Sequence, residues 1–235
     1  MSRYKFYGAE KLPFKFDIER LRNHLYENIV TAGEPIIQGG AYGGAFGGWS
    51  VYSNTGHWYD GWTQGHKAMI NGGFDYKIAK KIGVVHDFSH DTPTEICTGY
   101  LKEVMDELEE AGLYPRRVRT TVLQPRGEST KHRDAPNDAY AARIHIPLVT
   151  YPECVHTMWD DEGNEHVTHL EADGSAYIIW VNNLHQITND TDNQRFHIIM
   201  NGWDTKGITE RFGFGHIETL KSKVAEFNQR VQDAY

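Results

Sequence analysis

Apolar positions recur along this chain in two rhythms. Over Asp17–Ala32, Ile18, Leu21, Leu25 and Ile29 share one face of a helix, Asp17 is placed to cap it, and Gly33 to end it. A second helix is predicted from Thr92-Pro93-Thr94-Glu95, a capping box with proline at the first helical position. Its stripe is Ile96, Tyr100, Val104, Leu108 and Ala111, and Gly112 and Pro115 stop it. A third helix is predicted over 217–232, burying Ile217, Leu220, Val224, Phe227 and Val231. All three stripes read as core-packing faces.

Between Arg116 and Asp204 the period shortens to two. The predicted strands are Val118–Gln124, Ala142–Val149, Val155–Trp159, Glu165–Leu170, Ala176–Val181 and Arg195–Trp203, with turn-rich loops such as PRGEST, DDEGN and NDTDN between them. Short strands flanked by helices predict a mainly β, antiparallel sandwich or barrel. Upstream, Gly39 to Gly48 reads GGAYGGAFGG and precedes a predicted strand, Trp49–Tyr52. This segment is either a bent strand or a mobile cover over a pocket. It is not a phosphate loop, because GxxxxGK[ST] is absent.

Length and charge narrow the classes. The 235 residues suit one domain: a helical and glycine-rich part over 1–115, a β core over 116–204 and the terminal helix. The net charge of −8 argues against a nucleic-acid partner. The longest apolar run, Ala176 to Val181, is too short to cross a membrane, and the N-terminus has no signal-like apolar core. With only Cys97 and Cys154, a reducing, cytoplasmic setting is expected.

The 13 histidines carry the candidate chemistry. His132-Arg133-Asp134 is a His-x-Asp, a pattern cheap enough that His169-x-Glu171 and His216-x-Glu218 imitate it. In an extended strand the two side chains point the same way. His185 follows the buried-looking AYIIWV and supplies a third ligand. Two imidazoles and one carboxylate make the facial triad of non-haem Fe(II) oxygenases, with open positions left for chemistry. Arg143 and His145 share one face of a strand whose other face is Ile144, Ile146 and Leu148. Arg195 and His197 likewise oppose Phe196, Ile198 and Met200. Beside a metal triad, such faces line a polar cavity able to fork carboxylates. His86 and His90 read as loop residues. His156, His166 and His169 read as solvated or cavity-lining. His57 and His66, near Trp58, Tyr59 and Trp62, are candidates for holding substrate.

The segments TTVLQPRG, HRD, RIHIPLVT, LEADGSAYIIW, NNLHQITND and RFHIIMNGWD occur in an order and spacing that resembles the aspartyl/asparaginyl β-hydroxylase family of 2-oxoglutarate- and Fe(II)-dependent oxygenases, which includes bacterial free-proline hydroxylases. FDIERL and GGWSVY match more loosely. The resemblance implies a double-stranded β-helix, the cupin-like jelly roll. It implies iron on His132, His185 and Asp134, and Arg195 on the 5-carboxylate of 2-oxoglutarate with Thr121 as a hydroxyl partner. It also implies Arg143 or His145 near the 1-carboxylate or a substrate carboxylate. Peptide-hydroxylating animal members lack the acid at the position of Asp134, so the chain looks more like the proline hydroxylases. The activity implied is hydroxylation of an unactivated C–H bond with O2, while 2-oxoglutarate becomes succinate and CO2. A carboxylate at Asp134 argues against halogenation, which needs that position vacant. The expected substrate is a small carboxylate-bearing molecule such as a free amino acid. The alternatives are a peptide, a carrier-bound intermediate, or a non-oxidative isomerase or lyase reaction, for which Arg195 would have no use.

Overall fold

The computed structural model describes residues 6–32, 36–38, 45–53, 55–58, 90–113, 115–134, 142–181 and 183–201. The predicted helix over 217–232, most of the glycine-rich run, Trp62, His66 and His86 lie outside them.

Helix α1, Ile18–Ala32, begins as the pattern predicts: Asp17 Oδ1 accepts from the Arg20 amide at 3.0 Å. Leu21 and Leu25 are fully buried. The second helix, α2 (Gly99–Glu110), starts later than the capping box predicts. Thr92 and Pro93 pair antiparallel with Tyr52 and Ser53 instead. The would-be box carboxylate, Glu95, accepts from the Trp58 amide at 3.2 Å, and Thr94 Oγ1 donates to the Ser50 carbonyl. With those groups satisfied by the strand, the helix starts after Thr98, whose side chain makes no cap. Gly99 is required there. Its φ is +47°, and a Cβ would stand 2.6 Å from the His24 ring of α1.

Among the described residues the strands are β1 (Ala9–Lys11), β2 (Ile36–Gln38), β3 (Phe46–Gly48), β4 (Tyr52–Ser53), β5 (Thr92–Pro93), β6 (Arg116–Leu123), β7 (Ala142–Val149), β8 (Cys154–Trp159), β9 (Glu165–His169), β10 (Tyr177–Trp180), β11 (Leu184–Asn189) and β12 (Arg195–Asn201). One seven-stranded sheet runs β1-β10-β7-β12-β6-β3-β2, and a three-stranded sheet runs β11-β8-β9. Bridges Glu128↔Thr188 and His132↔His185 add the 128–132 segment beside β11. Along the chain, β6, β7, β10 and β12 belong to the large sheet. The 128–132 segment, the β8–β9 hairpin and β11 belong to the small one. Antiparallel strands alternating in this way between two facing sheets make a jelly roll.

The six strands predicted between Arg116 and Asp204 are all present, with ends shifted by up to two residues, and the predicted end at Trp203 lies outside the described residues. Strand β11 was hidden by its mixed pattern, LHQITN. The predicted Trp49–Tyr52 strand is displaced. Phe46–Gly48 pairs with β6, and Tyr52–Ser53 with β5. The end of the glycine-rich run is thus a sheet strand, unreadable by pattern because glycines carry no side-chain period.

Helices and the N-terminal segment cover the outer face of the large sheet. Ile144, Ile146, Leu148, Ile178, Trp180, Phe196, Ile198 and Met200 join Leu21, Leu25, Leu101, Val104 and Leu108 in one core. A smaller cluster, Met158, Leu170, Tyr177, Ile179 and Val181, lies between the sheets. Beside it, arginines, histidines, Thr121 and Asp134 share the space between the sheets with Phe46, Ile187 and Ile199.

Candidate active site

Two elements carry the three side chains that could hold a metal ion. His132 and Asp134 lie on the segment paired with β11, and His185 is the second residue of β11. One ligand atom from each falls within 4.8 Å of the others. The His132 and His185 ring centroids are 4.4 Å apart, and His132 Nε2 stands 3.6 Å from Asp134 Oδ1. The tautomers are set from behind. His132 Nδ1 donates to the Thr130 carbonyl at 2.7 Å, and His185 Nδ1 to the Asn183 carbonyl at 2.9 Å. Each Nε2 is thereby left as a lone-pair donor, the arrangement that orients a metal-binding imidazole.

Asp134 Oδ2 accepts from Arg143 at 3.3 Å. Burial pushes the Asp134 carboxyl up, but the Arg143 guanidinium, with help from His185 and His132, outweighs it and holds the carboxyl below its ordinary value. Burial lowers His185, keeping the imidazole neutral. A charged Asp134 carboxylate beside a neutral His185 imidazole is the state in which both can ligate a cation.

The predicted residues converge. His132, Asp134, Arg143, His145, Thr121, His185 and Arg195 all line one cavity of about 100 Å³ between the two sheets. Arg195 is 1% exposed. Its Nη2 reaches His156 Nε2 at 3.1 Å and His197 Nδ1 at 2.7 Å, so both rings present a lone pair to it. His145 packs edge-on against both of these rings. Burial first, and the Arg195 charge second, push His145, His156 and His197 well below the usual histidine range. Burial likewise pushes the Arg195 guanidinium down to about 10, still charged at neutral pH. Among the described residues no carboxylate pairs with it, and a buried cation without a counter-ion is costly. Arg143 Nη1, His145 Nδ1 and His197 Nε2 are buried without a hydrogen-bond partner among the described residues.

Thr121 faces the cavity, and its Oγ1 donates to the His197 carbonyl at 3.4 Å. His156 is cavity-lining. His166 stacks on Tyr7 and bonds Asp160, and His169 bonds the Cys154 carbonyl. His57 sits 4.0 Å from Glu95, and His90 accepts the Arg117 amide on its backbone carbonyl. The sequence reading missed Arg117 and Arg119, which line the same cavity. Their signal was available in Arg117-Val-Arg119-Thr-Thr121, alternation that begins one residue before the predicted strand.

No protein-family profile matches the chain, and no curated protein sequence does. Similar solved structures do occur. An oxidoreductase of the 2OG-Fe(II) oxygenase family from Burkholderia pseudomallei aligns with a TM-score of 0.47 at 12% identity, over 83% of this chain and 84% of that one. A prolyl-4-hydroxylase from Pseudomonas putida gives 0.45 at 13%, over 84% and 92%. The non-heme alpha ketoglutarate dependent carbocyclase SnoK of nogalamycin biosynthesis gives 0.49 at 13%, over 86% and 82%. At this level of likeness, the jelly-roll assignment rests on the strand pairing itself.

Proposed function

We propose that this cavity holds Fe(II) and 2-oxoglutarate, and that the protein is a dioxygenase hydroxylating an unactivated C–H bond of a small carboxylate-bearing molecule, first among them a free amino acid. One observation carries the reading. A buried arginine with no carboxylate partner among the described residues shares a cavity with a His-Asp-His cluster. A metal-binding site alone accounts for the cluster. A second, dry cation needs a ligand that is anionic at its far end, as a dicarboxylate is.

The residues present fit both groups. His132 Nε2, His185 Nε2 and an Asp134 oxygen form a facial set suited to Fe(II). Bound there, iron and 2-oxoglutarate would supply the oxidising chemistry, with succinate and CO2 as the cosubstrate's products. Arg195 would hold the 5-carboxylate, with Thr121 beside it. His156 and His197 occupy one nitrogen of Arg195 and so fix the plane of its fork. Kept neutral, they add no charge competing for the carboxylate. Arg143 orients Asp134 through Nη2, and its unpartnered Nη1 and His145 Nδ1 are donors for the 1-carboxylate end. The surrounding sheets exclude water, which strengthens each of these contacts.

The test is succinate release on addition of Fe(II), 2-oxoglutarate and a panel of free amino acids, with product mass read alongside. Acceleration by one free acid, with a product heavier by one oxygen, is expected. Stimulation only by peptides moves the substrate to that class. No succinate under any condition removes the proposal.

A further inference from the structure

Strand β12 buries one polar side chain that neither the His-Asp-His cluster nor the Arg195 end engages. Asn201 closes the strand at 2% exposure, and both its Oδ1 and its Nδ2 are buried without a hydrogen-bond partner. Whichever way the amide is turned, one donor group and one acceptor are left dry. Asparagine is depleted in strands, and an unpaired buried amide costs stability that an apolar residue would not. The residue is therefore held here against the preferences of the fold. Arg195 and Ile199 line the cavity while Phe196, Ile198 and Met200 pack into the outer core, so Asn201 falls on the inner face of the strand. Met200 pairs with Ile144, and the next inner positions, Asn201 and Arg143, follow at one level. On its other side Asn201 pairs with Arg116, where the register of β6 shifts. Arg143 lines the cavity and holds Asp134, so this level is the metal-ligating end. Along β12 it lies roughly 20 Å from the level of Arg195. A five-carbon dicarboxylate anchored at Arg195 is too short to reach Asn201, which leaves this amide to a second molecule.

Building on the functional reading above, we propose that Asn201 is a substrate-binding residue that reads the zwitterionic head of an α-amino acid. Its Oδ1 accepts from the ammonium and its Nδ2 donates to the carboxylate. The surroundings favour this head over an anion alone. Arginines and histidines dominate the polar part of the cavity wall, and its acceptors are engaged: Asp134 by Arg143, and His156 and His197 by Arg195. An ammonium brought to this end needs a dry acceptor with no competing partner. Among the inner-face side chains of β7 and β12, Asn201 alone is an amide. A neutral amide also avoids burying a second carboxylate beside Asp134. Both charges of an α-amino acid leave from one carbon, as do the two groups of the amide, so a single side chain can meet both in a paired contact.

The experiment is an oxygen-free calorimetric titration of the full chain with Fe(II) and saturating 2-oxoglutarate. The common L-amino acids are the probes, and each that binds is followed by its carboxamide and by the matching acid without the amino group. At least one amino acid is expected to bind about tenfold or more tightly than either analogue. Asn201→Leu, close in shape and without the amide, should weaken that amino acid about tenfold or more and cut its advantage over both analogues to less than about threefold. The 2-oxoglutarate Kd should change less than about twofold, whereas Arg195→Met should weaken 2-oxoglutarate strongly. If leucine is not accommodated, Asn201→Ala truncates the same amide and should give the same ratio. Because that ratio compares ligands on one protein, a variant of lower stability still decides. No amino acid binding to wild-type protein that binds 2-oxoglutarate, analogues binding as tightly as the amino acid, or variants keeping the full discrimination would overturn the assignment. Equal weakening of 2-oxoglutarate would overturn it too, placing Asn201 at the cosubstrate. Failure of wild-type protein to bind 2-oxoglutarate defeats the functional reading instead, and the same titrations with Fe(II) alone then judge Asn201.

Discussion

The two faces of the large sheet are built from the same strands, are equally dry, and carry opposite chemistry. On β7, Ile144, Ile146 and Leu148 face the helices, while Arg143 and His145 face the small sheet. On β12, Phe196, Ile198 and Met200 oppose Arg195 and His197 in the same way. Both sets are buried, Ile146 at 0% and Arg195 at 1% exposure. Burial alone therefore does not define a core. The outer face gains stability by closing on helices, whereas the inner face keeps charged and unpartnered groups dry, which the proposed function has a ligand complete.

The largest break in the comparison comes from the His-Asp-His cluster. His132→Ala, Asp134→Ala and His185→Ala should each reduce succinate formation below detection and abolish bound iron, while circular dichroism stays native. Full activity in the His185 variant would remove the facial-triad assignment.

Ile146→Ala, on the outer face, should cost about 2–5 kcal/mol of unfolding free energy by leaving a cavity. Its 2-oxoglutarate requirement should not move. A urea titration together with a cosubstrate titration decides it.

Arg195→Ala, on the inner face of the neighbouring strand, should do the converse. Losing a charge-assisted contact of about 1.5–3 kcal/mol should raise the 2-oxoglutarate requirement roughly ten- to a hundredfold. Stability without ligand should hold or rise, because the variant removes a buried charge that no carboxylate among the described residues offsets. A collapse in stability comparable to Ile146→Ala would erase the distinction between the faces.

The inner face should also register in pH. His145, His156 and His197 have folded values well below the unfolded value near 6.5, so the unfolded chain binds more protons as the solution acidifies. Their contribution is fully present above about pH 6.5 and is lost as pH falls below it, by up to about 1.4 kcal/mol per pH unit for each histidine. Urea unfolding between pH 7 and 5 should show this slope, and His145→Gln should flatten it. A profile flat over that range would place these rings in water.

The outer face was legible in the sequence because a period-two apolar pattern has one physical meaning once helices are available to cover it. The inner face was ambiguous, since Arg-Ile-His-Ile reads equally as a strand facing solvent. What resolved it was the convergence of two such strands with His132, Asp134 and His185, whose separation in sequence says nothing of distance. The late start of α2 was not legible. The choice between a capping box and a strand at Thr92–Pro93 depends on Tyr52–Ser53, some forty residues away. The place of Asn201 was hidden for a related reason, because whether a strand-end amide is paired is set by its cross-strand neighbours rather than by local pattern.

The central claim, that one dry cavity binds Fe(II) and 2-oxoglutarate together, is tested most directly by oxygen-free titration of 2-oxoglutarate into metal-free protein and into Fe(II)-loaded protein. The account predicts one saturable site, tight with Fe(II) and at least tenfold weaker without it. Equal affinity with and without the metal, or no binding in either case, would contradict it.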